Sequence, residues 1–337
     1  MQSPPGVWLA KHCSDSKLVG SNLSKDDLAL MTKVARMYYE QKVRQPEIAA
    51  RLSISQSRVS RLLTQAQHEG IVRITVVSPT EIHDELGEQL RELLGLRDVV
   101  VAHVDDSAEE SLLLAIGSAG ANYLESTLSA TDRVGLSSWS ATLLAVADAM
   151  VGGSAKASQI VQIQGGVGNP TAQVQATRLT DQFARMTSAE PRYLAAPGLV
   201  ASEEVRDGLL ADKYIGEVVD SWDELSVALL GIGGLQPSPL LKDSGNTISK
   251  SDLDKLRIAG AVGDVSLHFF DGEGQVVNSA LENRIIGISA KQLFAVPRRI
   301  GFAGGQRKIE AIYAAAKGGW IDVLITDSVT AKALLKV

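Results

Sequence analysis

The feature that most constrains the fold is the repeated alternation of short apolar strands with helices from residue 98 onward. Candidate strands at 98–103, 159–164 and 321–326 are rich in β-branched residues, and helical patterns separate them. Such alternation favours a mostly parallel sheet covered on both faces. We therefore predict a doubly wound α/β fold for this part of the chain. The other candidate strands are 133–137, 192–196, 225–231, 265–270, 275–278 and 299–303.

Composition excludes several classes of protein. Hydrophobic residues make up 45% of the 337 and charged residues 21%, which is ordinary for a globular chain and not for a disordered one. The single cysteine, Cys13, cannot form an intramolecular disulfide, and the five histidines lack metal-binding spacing. We predict no metal and no cofactor. No apolar run approaches the roughly 20 residues of a membrane span, and no signal peptide is evident, so we expect a cytoplasmic protein without a membrane partner.

The N-terminal part differs in charge from the rest. Residues 25–77 carry nine Lys or Arg against five Asp or Glu, whereas residues 78–337 carry 22 against 33. A basic segment on an acidic body is typical of a chain that meets a polyanion at one end, although a solvated helix face has the same charge. We predict four parts: a flexible leader at 1–24, a helix-turn-helix DNA-binding domain at 25–77, a linker at 78–85 and an effector domain at 86–337.

Residues 45–64, QPEIAARLSISQSRVSRLLT, have the spacing of a helix-turn-helix. Apolar residues of a helix ending at Leu52 would meet those of a second helix at 56–68, across a turn in which Ser53 stands where Gly is usual. The second helix of such a motif enters the DNA major groove. A strand predicted at 71–77 would form a wing.

The outward side chains of this motif suit DNA. Arg bonds guanine edges bidentately, Gln reads adenine, Ser bonds bases or phosphate, and a basic wing residue contacts the backbone. An ordinary helical hairpin with a solvated basic face is the alternative. The predicted DNA-contacting residues are Gln45, Gln56, Ser57, Arg58, Ser60, Arg61 and Arg73.

Three loops that follow candidate strands and open helices indicate a ligand cleft. They are SSWSAT at 137–142, GGVGNP at 165–170 and AGGQRK at 303–308. In an α/β sheet ligands lie at the carboxyl ends of strands, and free N–H groups at helix N-termini bind anions there. Taken singly, each loop is more simply a tight turn. Three in one domain favour a phosphate- or carboxylate-binding cleft, whereas GIGG at 231–234 is predicted to be a plain turn.

Other polar residues near these loops have two interpretations each. Asp271 can hold sugar hydroxyls or serve the turn in FDGEG. Arg284 can bind an anion or pair with an acidic neighbour such as Glu282. Trp139 can pack on a sugar face, although a buried core position is commoner for Trp. No convincing Ser-His-Asp order or carboxylate pair is present, so we predict no catalytic residues.

Together these segments resemble the SorC family of bacterial transcriptional regulators, which is grouped with DeoR-type sugar regulators. The resemblance runs from about residue 28 and is carried by the ordered motifs FFDxxG, NRxIGI, AGGxxKxxAI and LITDxxTA. It implies an effector domain with a fold akin to sugar-phosphate isomerases. It also implies a phosphorylated sugar effector that changes the affinity for double-stranded operator DNA, and a homo-oligomer, either a dimer or a tetramer.

The resemblance also implies the residues of the effector cleft. Ser140 replaces the Gly of the family's usual WGxT, so an unphosphorylated sugar or polyol stays open as the effector. Three other functions stay open as well: a sugar-phosphate isomerase or deaminase fused to a DNA-binding domain, an architectural DNA-binding protein, and covalent capture of an aldehyde by a lysine. The implied cleft residues are Ser138, Ser140, Thr142, Gly165, Gly166, Gly168, Asn169, Gln175, Asp271, Arg284 and Lys308.

Overall fold

The computed structural model of the protein describes residues 25–69, 71–72, 84–166, 170–236 and 248–337. The chain divides into two compact units, with the division between residues 76 and 77. Several predictions lie outside the described residues: the leader at 1–24, the linker up to residue 83, the wing strand from residue 73 with Arg73, and the loop residues Gly168 and Asn169. The side chain of Gln175 is likewise outside them.

The smaller unit is built of helices. They are α1 (Lys25–Ala35), which continues as one π-helical turn at Arg36–Glu40, α2 (Gln45–Leu52) and α3 (Gln56–His68). The apolar faces of all three helices meet in one core that includes Met31, Ile48 and Val59. Helix α3 begins at Ser55, whose hydroxyl accepts a hydrogen bond from the N–H of Arg58 at 3.2 Å. The helix pair α2–α3 and its short turn therefore form as the sequence predicts.

The larger unit contains nine strands among its described residues. They are β1 (Asp98–Ala102), β2 (Arg133–Leu136), β3 (Gln159–Gln162), β4 (Glu190–Arg192), β5 (Val227–Gly234), β6 (Gly263–Val265), β7 (His268–Phe270), β8 (Arg298–Phe302) and β9 (Val323–Asp327). Seven of them form a sheet in the order β1-β9-β8-β5-β2-β3-β4, and every pair in it is parallel. The predicted parallel α/β sheet is confirmed.

Ten α-helices accompany these strands in the described part of the chain. They are α4 (Asp84–Leu94), α5 (Glu109–Thr127), α6 (Ala141–Ala149), α7 (Pro170–Thr187), α8 (Glu203–Leu210), α9 (Lys213–Asp220), α10 (Lys250–Ile258), α11 (Ala290–Ala295), α12 (Ile309–Lys317) and α13 (Ser328–Leu334). Short 3-10 turns lie at Ser221–Glu224, Glu282–Arg284 and Gln306–Lys308. No helix of the described residues is long and apolar enough to cross a bilayer.

Both faces of the sheet are buried. Alternate residues of β5 point to opposite sides, so Val227 and Leu229 pack in one apolar cluster while Ala228 and Leu230 pack in another. The first cluster includes residues of α5, α6 and α7, and the second includes residues of α4, α12 and α13. Helices on both sides make the sheet doubly wound, as predicted.

The direction of winding reverses between β2 and β5. The chain goes from β2 through β3 to β4 toward one edge, and then from β5 through β8 to β9 toward the other. In an open α/β sheet, the crevice outside the carboxyl ends of the strands at such a reversal is where ligands bind. We therefore expect a ligand site at the carboxyl ends of β2 and β5.

Three strand predictions and one turn prediction need correction. The strand predicted at 265–270 is a hairpin of β6 and β7, because Ser266 and Leu267 both have positive φ and turn the chain back. The GIGG segment is the end of β5 and not a turn, because β6 pairs with it antiparallel. The segment 275–278 forms only an isolated bridge at Val276, and β4 ends at residue 192. A short apolar run in the sequence does not reveal which other strand will pair with it, and that pairing sets where a strand ends.

Candidate ligand cavity and exposed face of the third helix

A cavity of about 1080 Å³ opens at the reversal point of the sheet. Its wall includes the segments that follow β2 and β8, the end of β5, and the first residues of α5 and α6. The charged and hydrogen-bonding lining residues are Ser107, Glu109, Ser137, Ser140, Thr142, Gln164, Gln236, Arg257, Asp264, Ser266, Gln306, Arg307, Lys308 and Glu310. Leucine, isoleucine and aromatic side chains complete the wall, which is the usual make-up of a small-molecule site.

The loop after β2 is braced by its own hydroxyl groups. The Oγ of Ser137 accepts from the N–H of Gly231 at 3.4 Å, and the Oγ of Ser138 donates to the carbonyl of Gln164 at 2.8 Å. The Oγ of Ser140 accepts from the N–H of Leu143 at 3.2 Å and so caps α6. Because φ of Ser140 is −113°, serine sits there without strain in place of the family's glycine.

The end of β5 is glycine-rich because two side chains occupy the space beside it. A Cβ on Gly231 would lie 2.7 Å from the Oγ of Ser140, and a Cβ on Gly233 would collide with the carboxylate of Asp264. Any larger residue would push one of these polar groups out of the cavity wall. The GIGG motif is therefore part of the site, although the sequence predicted a plain turn.

Lys308 and Asp264 both line the cavity and act on each other electrostatically. Burial lowers the pKa of the Lys308 amine, while the carboxylates of Asp264 and Glu109 act against that shift. Burial raises the pKa of Asp264 to about 6, and the N–H of Leu267 and the charge of Lys308 act in the opposite direction. The carboxyl group therefore titrates near neutral pH, which is where proton-transfer and ligand-sensing groups work.

The loop after β8 brings Lys308 to the cavity. Gly305 has φ of +98°, a conformation that favours glycine, and the turn Gln306–Lys308 then leads into α12. Lys308 and Arg307 line the cavity, and the guanidinium of Arg307 lies 3.6 Å from Glu109 on the exposed rim. The sequence predicted this loop correctly as a cavity element.

The structure brings only some of the predicted cleft residues to the cavity. Ser140, Thr142 and Lys308 line it. Ser138, Gly165 and Gly166 are buried and do not, because the Ser138 hydroxyl serves the neighbouring strand and Gly166 bridges to Pro197.

Asp271 and Arg284 also lie outside the lining. The carboxylate of Asp271 accepts the N–H groups of Glu273 and Gln275, both at 2.9 Å, so it serves the turn. The guanidinium of Arg284 donates to the carbonyl of Val200 and to Asp252, and not to the predicted partner Glu282. The observed contacts of both residues are therefore with the protein itself: Asp271 serves its turn, and Arg284 pairs with an acidic residue.

Sequence reasoning missed several lining residues. Asp264 and Ser266 belong to the β6–β7 hairpin, which the sequence did not separate from a single strand. Gln164 follows β3 directly, so its place at the end of a parallel strand was a usable signal. Trp139, for which both alternatives were open, is buried, donates from Nε1 to the carbonyl of Gly165 at 3.2 Å and still lines the cavity.

In the smaller unit, α3 presents a polar face. Val59, Leu62 and Leu63 are buried, whereas Gln56, Ser57, Arg58, Ser60 and Arg61 are exposed. Gln45 at the start of α2 is partly exposed. Helix α3 contains no acidic residue, so the charges on its exposed face are the two arginines. The predicted division into buried and outward residues is confirmed.

Comparison with known proteins defines the class. The family model described as "Putative sugar-binding domain" matches residues 78–336. The deoxyribonucleoside regulator of Bacillus subtilis (strain 168) is 32% identical over 315 residues, which are 93% of this chain and 99% of that protein. The chain therefore belongs to this family of transcriptional regulators that carry a sugar-binding domain.

Sorbitol regulators of the same family are similar throughout their length. The sorbitol operon regulator of Klebsiella pneumoniae is 31% identical over 318 residues, with 93% of this chain and 99% of that protein covered. The crystal structure of full-length SorC from the same organism gives a TM-score of 0.68 at 29% identity, covering 93% of this chain and 100% of that one. The family resemblance seen in the sequence motifs is confirmed.

Proposed function

We propose that this regulator binds a phosphorylated sugar or a polyol in the cavity at the carboxyl ends of β2 and β5, and that the bound ligand sets its affinity for operator DNA. The observation that carries the proposal is the cavity itself. It lies at the winding reversal and combines a cation, hydroxyl groups at a helix start and a half-buried carboxyl group. These groups suit a ligand that is anionic at one end and hydroxylated at the other.

The polar lining groups of the cavity form two chemically different sets. Lys308 supplies positive charge, and Ser140 and Thr142 lie at the start of α6, where free N–H groups favour anions. Asp264 and the amide of Gln164 offer acceptors for hydroxyl groups. We assign the phosphate to the first set and the sugar hydroxyls to the second. Gly168, Asn169 and Gln175 stay as predicted contacts.

Residues 25–77 form the DNA-binding helix-turn-helix in this proposal. Helix α3 enters the major groove with its exposed residues Gln56, Ser57, Arg58, Ser60 and Arg61, while Gln45 and Arg73 contact the backbone. Residues 78–85 link this domain to the effector domain at 86–337. The support is the exposed, acid-free face of α3.

The ligand acts by favouring one arrangement of a homo-oligomer in the cytoplasm. Only a difference in ligand affinity between two arrangements can change DNA binding. A two-fold assembly reads paired half-sites about one helical turn apart. Light scattering of the full chain, with and without ligand, measures whether it is a dimer or a tetramer.

A second candidate function rests on one observation. A carboxyl group with a pKa of about 6 in the same cavity as a half-buried lysine is also what proton transfer in a sugar-phosphate isomerase or deaminase requires. Turnover of an aldose phosphate or amino-sugar phosphate by the purified chain, lost in Asp264→Asn, would establish that activity. We propose the regulator without catalysis because the relatives are named as regulators.

Fluorescence anisotropy tests the proposal directly. The probe is the DNA upstream of the protein's own gene, titrated with and without ribose 5-phosphate, glucose 6-phosphate, fructose 1,6-bisphosphate and sorbitol. We expect tight binding that one of these ligands changes. Lys308→Met should abolish the ligand response and keep DNA binding, whereas Lys291→Met, an exposed lysine outside the cavity, should leave both unchanged.

Two arginine variants test the proposed DNA contacts of α3. Arg58→Ala or Arg61→Ala should weaken specific binding by about 1–3 kcal/mol if the residue reads a base. Equal loss on random DNA would make it a phosphate contact. Arg51→Ala, an exposed arginine on α2 that pairs with Glu47, is the matched control. Specific binding that resists both variants would contradict the assignment of α3.

A further inference from the structure

The cavity loop after β8 is held from behind by a helix that does not line the cavity. The N–H of Gly305 donates to the hydroxyl of Thr330 at 2.7 Å. Thr330 is 1% exposed and lies on α13, which follows β9. This bond fixes the backbone at the point where the loop turns toward Lys308.

Thr330 is itself held by a buried carboxylate. Its hydroxyl donates to one oxygen of Asp327 at 2.6 Å, and the other oxygen accepts the N–H groups of Val329 and Thr330 at 2.9 and 2.8 Å. A hydroxyl has one proton, so it donates to the carboxylate and its lone pair is aimed at Gly305. Asp327 is 0% exposed, and its hydrogen bonds are therefore shielded from water.

The loop also touches Asp327 directly. A Cβ on Gly304 would collide with the carboxylate of Asp327 and would lie 2.6 Å from Cδ1 of Ile116. The loop backbone is therefore packed against the carboxylate with no room for a side chain. A movement of the loop must move Asp327 and Thr330, or break their hydrogen bonds.

Helix α13 connects this pair to α4. Ala331 and Leu334 of α13 belong to the same buried cluster as Leu90 and Leu94 of α4, and the two helices pack together. Helix α4 is the first described helix after the division between the two units. The path from cavity loop to α4 thus consists of one hydrogen-bonded pair and one helix contact.

We propose that Thr330 and Asp327 are positioning residues that hold the cavity loop 304–308 and transmit its state through α13 to α4. Neither residue lines the cavity, so both act through the loop. This inference rests on the proposed effector cavity and names the residues by which its occupancy reaches the start of the larger unit. Such a route is established only by measuring whether a change in the cavity loop alters α4.

Hydrogen–deuterium exchange of the full chain supplies that measurement. Thr330→Val keeps the shape of the side chain and the backbone N–H bonds to Asp327 that cap α13. It removes two hydrogen bonds of the hydroxyl, the one accepted from Gly305 and the one donated to Asp327. Losing the bond at Gly305 corresponds to about five- to tenfold faster exchange in the peptide covering 304–308. We expect the same direction of change in the peptide covering α4.

Two further variants make the result specific. Thr330→Ser keeps the hydroxyl and should restore slow exchange in both peptides. Thr326→Val is the same substitution on the adjacent strand β9, where the 0% exposed hydroxyl has no hydrogen-bond partner among the described residues. It should leave both peptides unchanged. Equal exchange rates in the two valine variants would overturn the proposal. Faster exchange in the peptide covering 304–308 with unchanged exchange in the peptide covering α4 would overturn it as well.

A ligand titration separates this proposal from the function on which it rests. The probes are ribose 5-phosphate and glucose 6-phosphate. The affinity for a probe that the wild type binds should be about five- to tenfold weaker in Thr330→Val and unchanged in Thr326→Val. The loop and α4 of Thr330→Val could lose exchange protection while neither probe has an effect on the wild type. That result would refute the proposed effectors and leave the positioning role in place. Unchanged affinity of a bound probe in Thr330→Val would overturn the positioning role.

Discussion

At the residue scale, two neighbouring residues of the cavity wall have unfavourable backbone conformations. Ser266 and Leu267 have φ of 52° and 69°, where residues other than glycine are strained. The hydroxyl of Ser266 is buried and has no hydrogen-bond partner among the described residues, and both residues line the cavity. Strain of this kind persists where the surrounding structure enforces it, and it clusters at functional sites.

Ser266→Ala should therefore stabilise the protein. The variant removes a buried hydroxyl that forms no hydrogen bond, so the free energy of unfolding should rise by about 1 kcal/mol. Ser138→Ala is the matched control, because that equally buried hydroxyl donates to the carbonyl of Gln164. It should lower the same free energy by about 1 kcal/mol. Urea unfolding of both variants measures the difference, and a loss of stability in Ser266→Ala would contradict the prediction.

The pH dependence of stability should report Asp264. Burial raises its pKa from 3.8 to about 6 in the folded protein, so the folded state binds the proton more tightly than the unfolded state. The resulting stabilisation is complete below about pH 4 and is lost as the pH rises through about 6. Asp264→Asn cannot ionise, so it should match the wild type at pH 4 and exceed its stability at pH 7 by on the order of 2 kcal/mol.

Denaturant titrations at several pH values test this expectation. Asp252→Asn is a useful comparison, because the pKa of that carboxyl is lowered by the Ser249 and Arg284 contacts, against the effect of burial. Its variant should lose stability relative to the wild type as the pH rises toward 3.8, the usual pKa of an aspartate, because only the wild type gains stability from ionisation there. Parallel pH curves for the wild type and Asp264→Asn would show that Asp264 is ionised at no unusual cost.

At the element scale, the turn between α2 and α3 carries a testable strain. Ser53 has φ of 52° and ψ of 41°, the left-handed conformation that glycine adopts most readily. The sequence indicated this position because glycine is usual there. Serine tolerates the conformation, and the two helices still pack through Ile48 and Val59.

Ser53→Gly should stabilise the α2–α3 pair by about 0.5–1 kcal/mol, because it relieves the left-handed strain by more than it adds to the entropy of the unfolded chain. Ser53→Ala keeps a Cβ and should give no gain. Native-state hydrogen exchange in α3 of the full chain measures the local stability. Equal protection in the two variants would show that the turn is unstrained.

The same scale explains which elements were predictable. The boundaries of α2, α3 and most strands of the parallel sheet follow from local periodicity and turn residues. The β6–β7 hairpin does not, because its two turn residues are neither glycine nor asparagine, so no usual turn residue marks the reversal of the chain. GIGG was misread for a related reason: only the partner strand β6 extends β5 to Gly234.

At the scale of the whole molecule, regulation requires that ligand and DNA be coupled, and coupling is reciprocal. If the effector changes operator affinity by some factor, operator DNA must change effector affinity by the same factor. We expect a change of about 5- to 150-fold. Isothermal titration of effector into free protein and into the protein–operator complex measures it. Unequal factors in the two directions would mean that a third equilibrium, such as oligomer assembly, takes part.

The linear order of residues was enough for the class of fold, the division between a basic helical part and an acidic α/β part, the family, and two of the three predicted loops, which line the cavity. Each depends on periodicity, charge or turn chemistry within about twenty neighbouring residues. The meeting of Lys308 with Asp264, of Gly233 with that carboxylate, and of Gly305 with Thr330 depends on strand order. These residues become neighbours because β5 pairs with both β6 and β8, and β8 pairs with β9. Long-range packing alone therefore selects which polar residues form the cavity and which, such as Asp271 and Arg284, serve the fold.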